Sequence, residues 1–366
     1  GHWSVMPGGF VRIGADSDTR ASAIGVGAQS ADVIIHGANP VKPVTLLSGA
    51  DGVAIRRNPG TLPSRVADNL YWLGRYLERG EAVLALVRAG SGTSLLDGGG
   101  ATIPDVTATR IRIRLESDHA APINPNLDFG QILAASLNDP HAEASVSSLL
   151  SAARQIGEGM RERLSPDFWQ QLDAPFPTGL PFSETSMILK GRFAALAGLA
   201  SEHMGRTAAW RFHDLGRRIE RAIALSRLIA AFADDDARAE DLTILLDLCD
   251  VQISYRQRYA TGLALYPVRD LVGLDPYNPR SISFQMTAIG DHLAALPRLQ
   301  DDGMAEPPQS AATALVARIA TLTADTLNGW TCVELEQKIL ALSDAIANRF
   351  FLQGSGTVRA SGMTLA

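Results

Sequence analysis

Residues 64–81 constrain the fold most, because they place charged side chains inside an otherwise apolar helical pattern. The sequence there is SRVADNLYWLGRYLERGE, in which valine and leucine recur at steps of three and four residues. This period is typical of a helix with one buried stripe. A second face of the same helix carries four polar side chains: Asp68, Tyr71, Arg75 and Glu78. We therefore predict a helix from about Ser64 whose polar face has a specific role.

The same pattern returns later in the chain. The sequence LGRYLER of residues 73–79 aligns with LGRRIER of residues 215–221. In this alignment Arg75 matches Arg217, and Glu78 matches Glu220. Glycine inside a helix is about 1 kcal/mol less favourable than alanine, so glycine at both equivalent positions indicates that two helices approach closely. We interpret the two segments as an internal pseudo-repeat.

Four segments together resemble the bacterial alpha-E domain. They are the two copies of the repeat, the sequence AARQIGEGMRERLSPDFW at residues 152–169, and the sequence YNPRSI at residues 277–282. The resemblance covers residues 61–350.

The first sixty residues resemble a different family. The sequence VMPGGFVR of residues 5–12 is similar to the closing segment of a circularly permuted (type 2) ATP-grasp domain, which in some bacterial proteins directly precedes alpha-E. The family's glycines followed by Ser-Lys-Asp correspond here to residues 27–32, with Ala31 in place of the lysine. This difference removes a cation that would suit a phosphate and argues against nucleotide chemistry here. Arg12 matches the family's arginine, and it is either a nucleotide-contacting residue or an ordinary strand-surface residue.

Residues 1–60 are predicted to form a β-rich remnant of that ATP-grasp domain. The predicted strands cover residues 3–6, 10–13, 32–36 and 44–47, with a turn at residues 7–9. Because the chain begins at Gly1 inside a predicted strand, we expect it to be a piece of a longer polypeptide. ATP and Mg²⁺ are expected cofactors of the rest of the ATP-grasp domain only, and no cofactor is expected for the helical domain.

Helical patterns dominate from residue 61 and predict a mainly α, multi-helix bundle, spanning residues 61–352, behind the small β-rich segment. After the first helix, the predicted helices cover residues 128–136, 142–163, 167–172, 183–201, 207–233, 236–261, 281–295, 308–321 and 332–351. A glycine run predicts a flexible loop at residues 90–104. The polar tail at residues 353–366 is predicted to be disordered.

Composition excludes several classes of function. The net charge of −6 argues against a nucleic-acid partner, since such binding depends on basic patches. We find no apolar run long enough to cross a bilayer, and we expect a cytoplasmic protein without a membrane partner. The two cysteines, Cys249 and Cys332, are expected to be buried thiols in a reducing compartment. Because the cysteines and histidines lack zinc-site spacing, we predict no metal site.

The repeated Arg-x-x-Glu-Arg pattern supplies the candidate site. If the two helices face each other, Arg75 and Glu78 meet Arg217 and Glu220, although each arginine can also pair within its own helix. Buried ion pairs often add little net stability, which makes them better evidence of a site than of a stabilising device. The alternatives are a solvated helix face and a structural brace. The ligand-binding candidates are Asp68, Asn69, Tyr71, Arg75, Glu78, Arg79, His213, Arg217, Glu220, Arg221, Asn278 and Arg280.

The segment around Arg280 is predicted to form an anion site. Asn278 is expected to cap a helix that begins at Pro279, which places Arg280 in the first turn beside free backbone N–H groups. We expect Arg280 to hold a carboxylate or phosphate, which belongs either to a ligand or to Glu78 or Glu220.

The resemblance also implies a functional setting. ATP-grasp relatives join an acid to an amine through an acyl-phosphate, and alpha-E proteins are typically associated with such ligases and with transglutaminase-like partners. The first hypothesis is a helical module, inactive alone, that binds or processes an acidic peptide or amino acid in a ligase system for peptide modification. The alternative is a non-catalytic scaffold that docks the ligase and a transglutaminase-like protein. A binding site requires the Arg/Glu face to border a cavity, whereas a brace is sealed with every donor paired.

Overall fold

The computed structural model describes residues 8–13, 29–36, 62–92, 103–298 and 303–351. The chain divides into two compact units, residues 1–59 and residues 60–366. The described ranges contain thirteen α-helices and one two-stranded sheet, so the predicted mainly α fold with a small N-terminal β segment is confirmed. The predicted disordered tail and most of the predicted loop at residues 90–104 lie outside these ranges, and the exact domain boundaries stay predictions.

The described part of the first unit is an antiparallel pair of strands. Strand β1 (Gly8–Ile13) pairs with β2 (Gln29–Ile34), with Gly8 opposite Ile34. The predicted turn at residues 7–9 is wrong at Gly8 and Gly9, which belong to β1. A Cβ on Gly8 would lie 2.9 Å from the carbonyl oxygen of Val33, so the glycine allows the strands to approach. The predicted strands at residues 3–6 and 44–47, and the side chain of Arg12, lie outside the described residues.

The second unit is helical throughout its described length. Its helices are α1 (Ser64–Gly90), α2 (Asp105–Ser117), α3 (Phe129–Asn138), α4 (Val146–Glu158), α5 (Pro166–Asp173), α6 (Phe182–His203), α7 (Ala208–Phe232), α8 (Ala239–Leu248), α9 (Gln252–Arg258), α10 (Leu265–Arg269), α11 (Ile282–Ala294), α12 (Pro307–Ala320) and α13 (Gly329–Phe350). A 3₁₀ turn covers Arg161–Arg163, and a π-helical turn covers Asp270–Leu274. Within the described ranges, no helix combines the length and apolarity needed to cross a membrane.

Two predicted helices differ in extent from those observed. The helix predicted at residues 142–163 begins only at Val146, because the Ser145 hydroxyl accepts a hydrogen bond from the backbone N–H of Ser148 and caps it. The helix predicted at residues 236–261 is interrupted between α8 and α9. Asp250 lies in this interruption with φ of 52°, a left-handed conformation that does not continue a right-handed helix.

The two copies of the repeat lie on α1 and α7, which pack against each other more extensively than any other pair of helices in the described ranges. Helix α4 covers another side of α1, and α11 and α13 pack on α7. Leu70, Leu73 and Leu215 are buried in the contact. Full burial of one such side chain contributes about 1.5–3 kcal/mol. The repeat therefore forms the centre of the domain.

Two glycines set the distance between α1 and α7. A Cβ on Gly74 would lie 2.1 Å from the carbonyl oxygen of His213, and a Cβ on Gly216 would lie 2.0 Å from that of Tyr71. Any larger residue would push the two backbones apart. The close helix approach predicted from the repeated glycine is confirmed.

Candidate functional site

Each glutamate of the repeat is bound by arginines from the other copy. Glu220 on α7 accepts hydrogen bonds from Arg75 Nε at 2.8 Å and from Arg79 Nε at 2.6 Å. Glu78 on α1 accepts one from Arg221 Nη2 at 2.8 Å. The ion pairs thus cross between α1 and α7 with an approximate two-fold relationship, rather than forming within one helix.

The buried carboxylate of Glu220 is held in its charged form. Burial by itself raises the pKa of this group, but the positive charges of Arg79 and Arg75 outweigh burial and lower the pKa to about 2. Glu220 is therefore ionised at neutral pH, and its charge is matched by two guanidinium groups.

The side of the crossing around Arg75 is closed by α13. Arg75 is only 1% exposed, and its Nη1 donates a hydrogen bond of 3.0 Å to Ser343 Oγ. The hydroxyl groups of Tyr71 and Ser343 are 2.8 Å apart, and the Arg75 guanidinium lies 4.9 Å from the ring centre of Trp72. A minor cavity of about 40 Å³ lies on this side, bordered by Arg75, Arg79 and Glu220. The contacts of Arg75 are those of a structural brace.

The side of the crossing around Arg217 borders a much larger space, the main cavity, of about 420 Å³. Five cationic side chains line it: Arg88, Lys190, Arg217, Arg221 and Arg280. Four carboxylates also line it: Glu78, Glu81, Asp247 and Asp250. Alanine and leucine side chains of α1, α6 and α7 form its apolar walls. The cavity therefore suits a small molecule with both charged and apolar parts.

Arg217 differs from the other arginines of the crossing in having no direct hydrogen bond within the described residues. Its guanidinium lies 3.6 Å from a carboxylate oxygen of Glu78 and 3.6 Å from one of Asp214. Both distances exceed those of an N–H···O hydrogen bond. The side chain is 19% exposed, so donors of Arg217 remain accessible from the main cavity.

Comparison with known families identifies this domain. The family model for alpha-E, described as a predicted alpha-helical domain with a conserved ER motif, matches residues 62–351. The chain belongs to the alpha-E family. The dipeptide Glu-Arg occurs at residues 78–79, 162–163 and 220–221, and the first and last of these form the crossing of α1 and α7.

The relatives of this alpha-E domain are longer proteins. Uncharacterized proteins of Mycobacterium tuberculosis and Mycobacterium bovis are each 25% identical to it over 270 residues. The match covers 64% of this chain but 30% of the length of each relative. No solved structure matches the chain.

Arg280 reaches the main cavity of the alpha-E domain, but its carboxylate partner is not one of the predicted ones. Arg280 Nη2 donates a hydrogen bond of 2.8 Å to Glu81, rather than to Glu78 or Glu220. Burial lowers the pKa of Arg280, but the charges of Glu81 and Glu78 outweigh burial and raise it. The charges of Arg280 and Arg221 likewise outweigh burial at Glu81 and lower the pKa of that carboxyl.

The predicted cap at Asn278 is wrong, because the helix begins later, at Ile282, with Ser281 as its cap. Asn278 instead shapes the turn before that helix. Its Oδ1 accepts a hydrogen bond from the backbone N–H of Arg280 at 3.0 Å, and its Nδ2 donates one to the carbonyl oxygen of Leu271 at 2.8 Å. Asn278 thereby fixes the backbone that carries Arg280.

Four other candidates do not line the main cavity. Asp68, Asn69 and Tyr71 lie on α1 towards its N-terminus, away from the cavity lining. His213 is buried, and neither ring nitrogen has a hydrogen-bond partner within the described residues. Burial and the charge of Arg217 lower the pKa of His213 to about 4, so its imidazole is neutral at pH 7.

Several charged residues of the main cavity were not predicted. Asp247 lies in the last turn of α8 and Asp250 follows the helix, where the helix dipole disfavours negative charge. This position could not be recognised from the sequence, because one continuous helix was predicted over residues 236–261. Lys190 lies on α6, and no sequence pattern indicated that it would line the cavity. It reaches the cavity only because α6 packs on α1, and it pairs with Asp250 at 3.0 Å.

The sequence also contains one Glu-x-x-His spacing, at Glu116 and His119, of the kind that helix bundles use for metals. Glu116 pairs with Arg112 at 2.9 Å. Within the described ranges, no group of three or more His, Cys, Asp or Glu side chains is arranged to hold a metal ion.

Proposed function

We propose that this alpha-E domain binds a small ligand with a carboxylate group, such as an amino acid or a short acidic peptide, in the main cavity. The observation that carries the proposal is Arg217, a cavity-facing guanidinium without a direct hydrogen bond in the described structure. A planar guanidinium binds a carboxylate through two parallel N–H···O bonds, which gives both affinity and orientation.

The cavity has the size and lining that such a ligand needs. Its volume of about 420 Å³ falls within the range of roughly 300–1,000 Å³ for small-molecule sites. Apolar walls, including Ala85 and Leu225, suit the ligand's carbon chain.

The ion pairs around the cavity support binding by fixing the arginines in place. Glu78 holds Arg221, and Glu81 holds Arg280. Because these guanidinium groups are already ordered, a ligand loses less side-chain entropy when it binds. The remaining donors of Arg217 then decide where the carboxylate lies.

The wider setting is also a proposal. The resemblance of residues 5–12 to an ATP-grasp segment supports a ligase system in which ATP and Mg²⁺ act outside the helical domain. The alpha-E domain would present the acidic substrate to the ligase, with a transglutaminase-like protein as a further partner and the cytoplasm as its location.

The second candidate function is a scaffold without a ligand. It is supported by the closed half of the crossing, where Arg75 is bound by Glu220 and Ser343 and acts as a brace. In this case the main cavity is a consequence of packing and binds no carboxylate.

Isothermal titration calorimetry distinguishes the two functions. Glutamate, a Glu-Glu dipeptide and their amidated counterparts are titrated into the wild type and the Arg217→Gln variant. A charged hydrogen bond is worth about 1.5–3 kcal/mol, so we expect carboxylate binding to weaken by roughly 10- to 100-fold in the variant. Binding that Arg217→Gln leaves unchanged, or no binding to the wild type, would contradict the proposal.

A matched control is Arg154→Gln. It removes the same charge from a half-exposed side chain on α4 that pairs with Asp173 and does not line the main cavity. Its affinity for each ligand should equal that of the wild type.

A further inference from the structure

The minor cavity lies on the opposite side of the helix crossing from the main cavity, and the two are related by the repeat. Ala82 and Ala224 lie at equivalent positions of the repeat and line both cavities. The minor cavity is lined by Arg75, Arg79 and Glu220. The main cavity is lined by the residues at the equivalent repeat positions, Arg217, Arg221 and Glu78. It is a smaller version of the same charged environment.

The minor cavity has an excess of positive charge. Four arginines line it: Arg75, Arg79, Arg114 and Arg227. Only two carboxylates, Asp118 and Glu220, are among its lining residues, and Glu336 neutralises Arg227 from outside it at 2.7 Å. Among the side chains that line the cavity or pair directly with its arginines in the described structure, four guanidinium groups face three carboxylates. Asp344 also interacts electrostatically with Arg75 but forms no ion pair with it. Such a cluster attracts an anion.

One donor in this cluster has no acceptor. Arg79 uses Nε and Nη2 to bind Glu220 at 2.6 and 3.0 Å. Its Nη1 is buried and has no hydrogen-bond partner within the described residues. A buried donor on a charged group without an acceptor is destabilising, so an acceptor in the cavity would be strongly favoured.

The size of the minor cavity limits what that acceptor can be. A single water needs about 10–15 Å³ of such space, and the cavity offers about 40 Å³. That space corresponds to about three waters, so a halide ion fits, whereas a ligand carboxylate with a long carbon chain requires more room. The excess of a single positive charge favours a monovalent ion over phosphate. The partly exposed side chains of Arg114 and Arg227 give the ion a route from solvent.

From these observations, we propose that the minor cavity is a binding site for a monovalent inorganic anion of the size of chloride or bromide, held by Arg79 Nη1 and the neighbouring guanidinium groups. The ion would balance the excess positive charge and stabilise the contact of α1, α2 and α7. This site is independent of the ligand proposed for the main cavity.

Crystals of the protein soaked in sodium bromide test the assignment directly. We expect an anomalous peak at the bromine absorption edge within hydrogen-bond distance of Arg79 Nη1. Density for water alone at that position, without an anomalous peak, would overturn the proposal.

Thermal unfolding tests it in solution. At equal ionic strength, sodium chloride should raise the wild-type Tm by about 2–4 °C relative to sodium fluoride, whose smaller anion is strongly hydrated. The Val83→Ile variant adds a methylene to the cavity lining, removes no charge and should lose this gain. An equal increase in Tm for the wild type and the Val83→Ile variant would contradict the proposed site. The bromide experiment uses the wild type and does not depend on folding of the variant.

Discussion

Arg75 and Arg217 occupy equivalent positions in the two copies of the repeat, but α13 covers Arg75 whereas Arg217 faces the main cavity. Arg75 binds Glu220 at 2.8 Å and Ser343 at 3.0 Å. Arg217 approaches Glu78 and Asp214 no closer than 3.6 Å. One motif thus serves as a brace on one side of the crossing and leaves a guanidinium accessible on the other.

The difference between the two arginines predicts unequal effects on stability. Arg75→Gln should lower the free energy of unfolding by about 3–5 kcal/mol, because it removes one partner from a buried ion pair. Arg217→Gln should lower it by about 1 kcal/mol or less, because its ion pairs are long and partly exposed. Chemical denaturation of both variants measures these values. Equal losses would show that the two sides of the crossing are energetically equivalent.

The glycines of the crossing give a second prediction. Gly74→Ala and Gly216→Ala should each destabilise the protein by about 3 kcal/mol or more, since the new methyl group would overlap a backbone carbonyl. Gly191→Ala on α6 is the control, because a Cβ there meets nothing within 4 Å. This control should stabilise the helix by about 1 kcal/mol. If Gly74→Ala has the same effect on stability as Gly191→Ala, the two helices do not depend on the glycine for their close approach.

The sequence predicted a close helix approach at the repeated glycines, but not the asymmetry of the crossing. The repeat and its glycines define which faces of α1 and α7 meet, because both follow from helical spacing. The closure around Arg75 depends on Ser343, which lies 268 positions further along the chain. No pattern in the sequence near Arg75 predicts a contact with a residue this far along the chain.

No element was predicted in the segment that forms α2. Its sequence RIRIRL alternates charged and apolar residues as a strand does. In the structure, α2 buries Thr107, Ile111 and Leu115, which are four residues apart and form one narrow stripe. Tertiary packing thus selected the helix against the local pattern, and no helix was predicted there.

The cysteines give a third prediction. Cys249 borders the main cavity, and burial raises the pKa of its thiol to about 12, as it does for Cys332. Because the thiolate is the reactive form, neither cysteine should be alkylated by iodoacetamide at pH 7.5 in the folded protein, whereas both should react in guanidinium. Mass spectrometry of the quenched reactions measures this. Rapid alkylation of native Cys249 would mean that the cavity wall opens in solution.

The buried imidazole of His213 predicts how stability depends on pH. Its pKa falls from 6.5 to about 4 on folding, owing first to burial and then to the charge of Arg217, with Asp214 and Glu78 acting in the opposite direction. Between pH 6.5 and 4 the unfolded chain therefore binds a proton that the folded protein does not. Stability is full above pH 6.5 and decreases by about 3 kcal/mol as the pH falls to 4.

Guanidinium unfolding at pH 7, 5.5 and 4 tests this contribution. The His213→Leu variant should lose about 3 kcal/mol less than the wild type over this interval, because it has no imidazole to protonate. The control His141→Gln changes an exposed histidine and should follow the wild type. Glu220 loses its contribution only as the pH falls from 4.5 towards 2, so it affects both proteins equally and mainly below this window. Parallel pH profiles for wild type and His213→Leu would show that His213 is not held neutral in the folded state.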